Sequence, residues 1–254
     1  MKEYFVSKSP SNSIIFLNFA IALILSFVIF WFLFHTQPFN FNEIWDYRKL
    51  FWNGWLTTVS LSLVSLALST LIGLLAALLR RSSILIINSL AVIYVEFIRG
   101  TPLLVQILFF YYVAANAVGI DNRYTVGIIT LSMFSGAYIS EMIRAGIENI
   151  RSSQLESAQA IGLTRFQTYR YVIFPQAIRQ ILPPLAGQFA SLIKDSSLLS
   201  IIGISELTNS AQQVNSATYS TLESFFPLAI GYLILTLPIS LWSRYLEHRY
   251  TYAN

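Results

Sequence analysis

Apolar and charged positions divide this chain into long water-avoiding runs joined by short charged connectors. Asp, Glu, Lys and Arg are missing from 9–42, 50–79, 100–120, 124–140 and 224–243. A membrane-spanning helix takes about 20 mostly apolar residues, and it closes its backbone hydrogen bonds internally, as lipid demands. The short alternating segments of a membrane β-barrel are not present. The pattern therefore predicts an all-α membrane protein of about six spans, at 14–34, 55–79, 84–118, 125–147, 176–200 and 224–245. The third contains Glu96, Arg99 and the run Gly100-Thr101-Pro102, so it is expected as one long helix bent at the proline. Two separate crossings there would make seven. The first run, Ile14 to Phe34, exceeds the typical signal-peptide core and no small-x-small site follows it, so it is read as a retained helix.

Composition agrees with this picture. The chain is 55% hydrophobic and 11% charged, against about 25% charged in soluble domains, and its mean hydropathy is +0.61. A pI of about 9.3 raises the question of nucleic acid, but the basic residues flank apolar runs and so report topology instead. Six spans with the N-terminus inside place Lys2, Lys8, Arg80, Arg81, Arg151, Arg165, Arg170, Arg244 and Arg249 in the cytoplasm. Outside remain Arg48, Lys49 and Arg123, beside Glu43, Asp46, Asp121, Glu206 and Glu223. Seven spans would set the Arg80-Arg81 turn and the Arg-rich connector 148–175 on opposite sides. The expectation is a multi-pass membrane protein with both termini cytoplasmic, in contact with lipid and not with nucleic acid. The absence of cysteine excludes disulfides and thiolate chemistry. Neither a metal-ligand cluster nor a nucleophile–base pair is found, so no catalytic or metal residue is assigned.

The connector 148–175 has more structure than a link requires. Ser153-x-x-Glu156 reads as a capping box opening a short helix, and Gly162 stands where a left-handed cap would close it. Thr164-x-x-Gln167 reads as a second capping box, and Pro175 near the start of the fifth span costs little. Leu155, Ala158 and Gly162 share one stripe, whose small residues would let another body approach. An amphipathic connector lying on the membrane is the alternative.

Ionisable residues inside spans are functional candidates by default. Here they are Glu96, Arg99, Glu141, Lys194 and Asp195. They balance poorly but can pair, for instance Glu96 with Arg99 at i,i+3. Glu96, Arg99 and Glu141 could equally be snorkelling pairs or helix staples near cytoplasmic ends, and Lys194 and Asp195 could line a path or hold helices together. Pro183-Pro184 should break the hydrogen-bond ladder of the fifth span, freeing backbone groups that suit an α-amino and α-carboxylate group. A plain packing kink is the other reading.

Glu156-Ser-Ala158-x-x-x-Gly162, with Pro175 thirteen positions after the glycine, resembles the EAA loop of ABC-importer permeases, with Ser157 where Ala is usual. Tyr94-Val-Glu-Phe-Ile-Arg-Gly-Thr-Pro-Leu-Leu-Val-Gln106 resembles the signature of the polar amino acid permeases within that group. So do Ser140-Glu141-Met-Ile-Arg144-Ala-Gly146, Leu182-Pro-Pro184 and Lys194-Asp-Ser-Ser-Leu198. The resemblance covers about 50–245. It implies a five-helix permease core over 51–254 that contains the coupling loop 148–175, in the bacterial inner membrane. The N-terminal helix and external linker over 1–50 lie outside the resemblance and are read from the apolar pattern alone.

In that family the loop's short helix docks on a separate ATPase, which would make Leu155, Glu156, Ala158 and Gly162 coupling residues. Arg99, Glu141, Pro184, Lys194, Asp195 and Ser196 become candidates for contact with an amino acid substrate along the path. The implied partners are a second permease chain, two ATP-binding-cassette ATPase subunits and an extracytoplasmic solute-binding protein. The pattern Gly-x4-Gly-Lys-Ser/Thr is missing from the chain. The chain is therefore expected to be a transport subunit without a cofactor of its own, with ATP and Mg held by the ATPase. The alternative is a self-sufficient secondary transporter or channel that uses the intramembrane Glu, Lys and Asp as an ion relay. The elbow-like loop argues against it, and no inverted repeat is evident.

Overall fold

The computed structural model describes residues 12–35 and 41–251. The chain divides into two compact units, Met1–Trp45 and Asp46–Asn254. In the first unit, α1 spans Asn12–His35 and a short helix follows over Phe41–Trp45. Phe16, Leu17, Phe19, Leu23, Ile24, Phe27 and Trp31 of α1 are all exposed. A helix apolar on every side suits lipid.

The second unit contains α2 (Arg48–Leu79), α3 (Leu85–Gly100), α4 (Leu103–Val118) and α5 (Arg123–Glu148). It continues with α6 (Ser152–Ala160), α7 (Phe174–Asp195), α8 (Leu207–Thr218) and α9 (Thr221–Thr251). One helical turn at Arg165–Thr168 and a wide turn at Tyr169–Ile173 lead into α7, and a tight 3-10 run, Ser196–Ile202, leaves it. No strand occurs among the described residues. The fold is thus all-α, and α1, α2, the α3–α4 pair, α5, α7 and α9 lie at the six predicted positions. Among the described residues, α2, α5 and Thr221–Tyr250 are each long and apolar enough to cross a membrane, and α3 with α4 forms a fourth such stretch. The helix α7 is more polar because Gln176, Arg179, Gln180, Pro183 and Gly187 recur every three or four residues along one face.

A seam of small residues joins α2 to α5. Ser62, Ser65, Ser69, Gly73 and Ala76 are buried on α2, opposite Ser132, Ser135, Gly136 and Ser140 on α5. A Cβ at Gly73 would lie 2.9 Å from the Gly136 carbonyl oxygen, and one at Gly136 would lie 2.8 Å from Ile72 Cγ2. Lipid gives helices no hydrophobic reason to associate, so close backbone approach supplies the contact. Beside the seam, Leu61, Leu103, Ile107, Leu131, Leu199, Ile202 and Ile204 form the core.

The third predicted span departs from expectation. The axes of α3 and α4 differ by 110°, so this is a break between two helices and not a bend within one. Thr101 is extended, at φ −120° and ψ 146°, as the residue before a proline prefers to be, and Pro102 offers no N–H to continue the ladder.

Candidate translocation and coupling sites

The break carries its own fastening. Gln106, 3% exposed, donates through Nε2 to the Ile98 carbonyl (2.7 Å), the Thr101 carbonyl (3.1 Å) and Thr101 Oγ1 (2.8 Å). The last carbonyls of a helix lack intrahelical donors, and this amide supplies them at the end of α3. Arg99, between the two tethered carbonyls, lays its guanidinium over the Tyr138 ring, 5.5 Å from the centroid.

Arg99 Nη1 is 3.6 Å from Glu141 Oε2. Glu141 also accepts from Arg144 Nε (3.0 Å) and Nη2 (2.8 Å) and from Arg80 Nη1. Arg144 further pairs with Glu148. The possible Glu96–Arg99 pair is not formed. Glu96 is exposed, where an i,i+3 pair contributes only a few tenths of a kcal/mol, whereas Glu141, 17% exposed at its side chain, gathers three guanidiniums from three helix ends. Arg80, read from the sequence only as a topology marker, is one of them. Three arginines against Glu141 and Glu148 leave one positive charge in excess.

The remaining path candidates lie along α7. The helix continues through Pro183-Pro184, so the expected interruption of the ladder is confined to the bonds the prolines cannot donate. The two prolines remove the N–H groups that would close on the Arg179 and Gln180 carbonyls, and neighbouring turns carry the helix past them. Ser243 Oγ donates to the Pro183 carbonyl at 2.9 Å, tying α9 to this point. Both prolines border a cavity of about 500 Å³. Ten residues on, about 15 Å along the axis, Lys194 is exposed and Asp195 half-buried. Neither has an ion-pair partner among the described residues. Ser196 is fully buried and donates to the Ile193 carbonyl at 2.7 Å. The six candidates thus fall in three places: Arg99 with Glu141, Pro184 at the cavity, and Lys194–Ser196 at the far end of α7.

Two of the three capping features expected in the connector are present. Gly162 adopts φ +79°. The Gly162 amide donates to the Gln159 carbonyl (2.9 Å) and the Leu163 amide to the Ala158 carbonyl (3.0 Å), the paired bonds of a Schellman motif. Thr164 and Gln167 form a reciprocal capping box. The box at Ser153 and Glu156 does not form. The helix begins two residues earlier, with Arg151 as N-cap and no side-chain cap bond, so Ser153 is already inside the first turn. Ala158 is 3% exposed because α6 folds back on the turns at Arg165–Ile173. Its small side chain therefore serves a contact within the chain. Leu155 is half-buried, while Glu156 and Gly162 are exposed. Beyond them Ile161, Phe166, Tyr169, Tyr171 and Phe174 expose an apolar crest, each at least half open.

Sequence reasoning missed Glu206, placed there in an external loop. It is fully buried and caps α8 by accepting from the Thr208 amide (2.8 Å) and the Asn209 amide (2.7 Å), and it also accepts from the Tyr232 hydroxyl (2.9 Å). Burial pushes its carboxyl above the ordinary range, while these hydrogen bonds pull it back. The available signal was an acidic residue directly before the apolar spacing Leu207, Ala211, Val214.

A helical membrane unit with an elbow folded this way, and a fastened break beside a charge cluster, fits a transport permease. The chain belongs to the family of binding-protein-dependent transport system inner membrane components, which it matches over residues 69–252. It is 39% identical over 216 residues to the glutamine transport system permease protein GlnP of Escherichia coli, covering 84% of this chain and 98% of that one. It is 38% identical over 194 residues to the nopaline transport system permease protein NocM of Agrobacterium fabrum, covering 72% of this chain and 80% of that one. A crystal structure described as an amino acid ABC transporter with histidines matches with a TM-score of 0.78 at 37% identity, covering 84% of this chain and 100% of that one.

Proposed function

We propose that this chain forms the translocation path for polar amino acids of the glutamine type in an ATP-driven importer, and that it transmits the work of a separate ATPase. A second permease chain completes the path, two ATPase subunits hold ATP and Mg, and an extracytoplasmic solute-binding protein delivers the substrate. The termini and the elbow face the cytoplasm. Arg99 and Glu141 at the break, Pro184 at the cavity and Lys194–Ser196 at the end of α7 are the side chains offered to the substrate.

One observation carries the coupling role. The elbow presents Glu156 on a short helix closed by a Schellman cap at Gly162, and beyond it the crest from Ile161 to Phe174 outward, where a capping box opens the next turn. Large apolar side chains in a contiguous exposed group mark an interaction surface. The named relatives, which transport glutamine and nopaline, support the substrate class.

Purification tests the assembly. Tagged permease extracted in mild detergent should retain its ATPase subunit in fixed stoichiometry, and replacement of Phe166 and Tyr169 by Ser should release that subunit while the permease stays in the membrane. Retention of the ATPase by the doubly substituted elbow would contradict the docking role.

A further inference from the structure

We propose that the cavity between α7, α9 and the C-terminal end of α5 is a second substrate station, which takes an α-amino acid as its zwitterion after it has left the Arg99–Glu141 region. The inference rests on the reading of this chain as an amino acid permease. The cavity measures about 500 Å³, within the usual range for small-molecule sites. It takes no residue from α3 or α4, so it is separate from the break.

Its lining fits a molecule with both an ammonium and a carboxylate group. Arg179 and Glu247 bring opposite charges, and Asn149, Gln176 and Gln180 bring amides. Among the described residues, none of these five side chains is engaged in a hydrogen bond or ion pair. The contrast with Glu141, whose carboxylate is saturated by arginines, is direct. Pro183 and Pro184 add two acceptors, because the Arg179 and Gln180 carbonyls lose their helical donors there. An ammonium group suits Glu247 and those carbonyls, and a carboxylate suits Arg179 and the amides. Balanced charge disfavours an inorganic anion, and one carboxylate is too few for a metal ion.

The chain has no cysteine, and a Cβ at Gly187 in the cavity wall would meet only Ser243 Oγ, at 3.7 Å. Gly187→Cys therefore places a unique thiol in the site without crowding. The permease with its ATPase subunits, in phosphatidylcholine nanodiscs and without the solute-binding protein, is alkylated with a small neutral maleimide at increasing L-glutamine. Glutamine should slow labelling saturably in the millimolar range or below, whereas glutaramic acid, which lacks the α-amino group, and 4-aminobutanamide, which lacks the carboxylate, should not. In the same background, Arg179→Gln and Glu247→Gln should each raise the half-protecting concentration about tenfold or more, the worth of one lost charged contact. Labelling indifferent to glutamine would overturn the proposal, as would protection that survives both substitutions. Protection that follows added phosphatidylethanolamine and ignores glutamine would assign the cavity to a lipid headgroup and overturn it too. The Gly187→Cys measurement stands even where a charge variant fails to assemble. ATP-driven glutamine uptake by the complete system, measured alongside, separates the two readings. Uptake without protection removes only this station, and failure of uptake by the unsubstituted chain removes the permease assignment and the station together.

Discussion

The side-chain amide of Gln106 reaches back across the Thr101-Pro102 break to the Ile98 carbonyl, 2.7 Å away. One residue thereby closes the open end of α3 and sets where α4 departs. Its Oε1 is buried without a partner, so the donor half of the amide makes the contribution. Gln106→Leu should leave two buried carbonyls short of a donor, each at a cost of about 1–3 kcal/mol, partly offset by removal of the unpartnered oxygen. A melting point lowered by several degrees in detergent is expected, together with reduced uptake. An unchanged melting point would remove the staple from the account.

Glu141 holds three guanidiniums, whereas Arg99 gives it only one contact, at 3.6 Å. Glu141→Ala should destabilise by about 3 kcal/mol, because it strands like charges in a half-buried site. Arg99→Ala should cost about 1 kcal/mol through its partly exposed pair and its stacking on Tyr138. Uptake should fall further with Arg99→Ala than this loss of stability explains if the side chain meets the substrate as proposed. Thermal melts and uptake on the same preparations decide the matter. A reversed order of stability, or uptake that merely tracks stability, would count against the assignment.

Gly162 sits at φ +79°, and nothing lies within 4 Å of a Cβ built there. Within the chain the glycine therefore answers backbone geometry and not crowding. Gly162→Val should cost about 1–2 kcal/mol in the elbow, uncoupling ATPase stimulation while the protein still inserts. Glu156→Ala has no cap bond to lose. It should leave the melting point alone and weaken only the binding of the ATPase. Normal coupling with valine at 162 would make the elbow a simple connector.

The proposed membrane sidedness rests on the basic excess. Asp121, between α4 and α5, and Ser157, on α6, are both exposed, and no native cysteine competes. An impermeant maleimide on intact cells should label Asp121→Cys, and should reach Ser157→Cys only after permeabilisation. Labelling at 157 from outside would invert the topology.

Features written in local sequence were legible before the structure. The charge-free runs gave α2, α5 and α9, while Gly162 and the Thr164/Gln167 box gave the elbow. Features set by partners distant in sequence were not. Proline announced the break at Thr101-Pro102, but the 110° turn depends on Gln106 and on the packing of Leu103 and Ile107 against Leu131 and Leu199. The partner of Arg99 lies on α5, and the burial of Glu206 depends on Tyr232, 26 residues further on. Ser153 misled because a capping box depends on where the helix starts, and that start lies two residues earlier, with Arg151 as N-cap.

Accumulation of radiolabelled glutamine in proteoliposomes tests the central claim most directly, with solute-binding protein on one face and ATP on the other. Uptake should require the ATPase subunits and ATP together, and it should collapse with Gly162→Val. Accumulation by this chain alone, driven by an ion gradient and indifferent to ATP, would contradict the account and establish a secondary transporter instead.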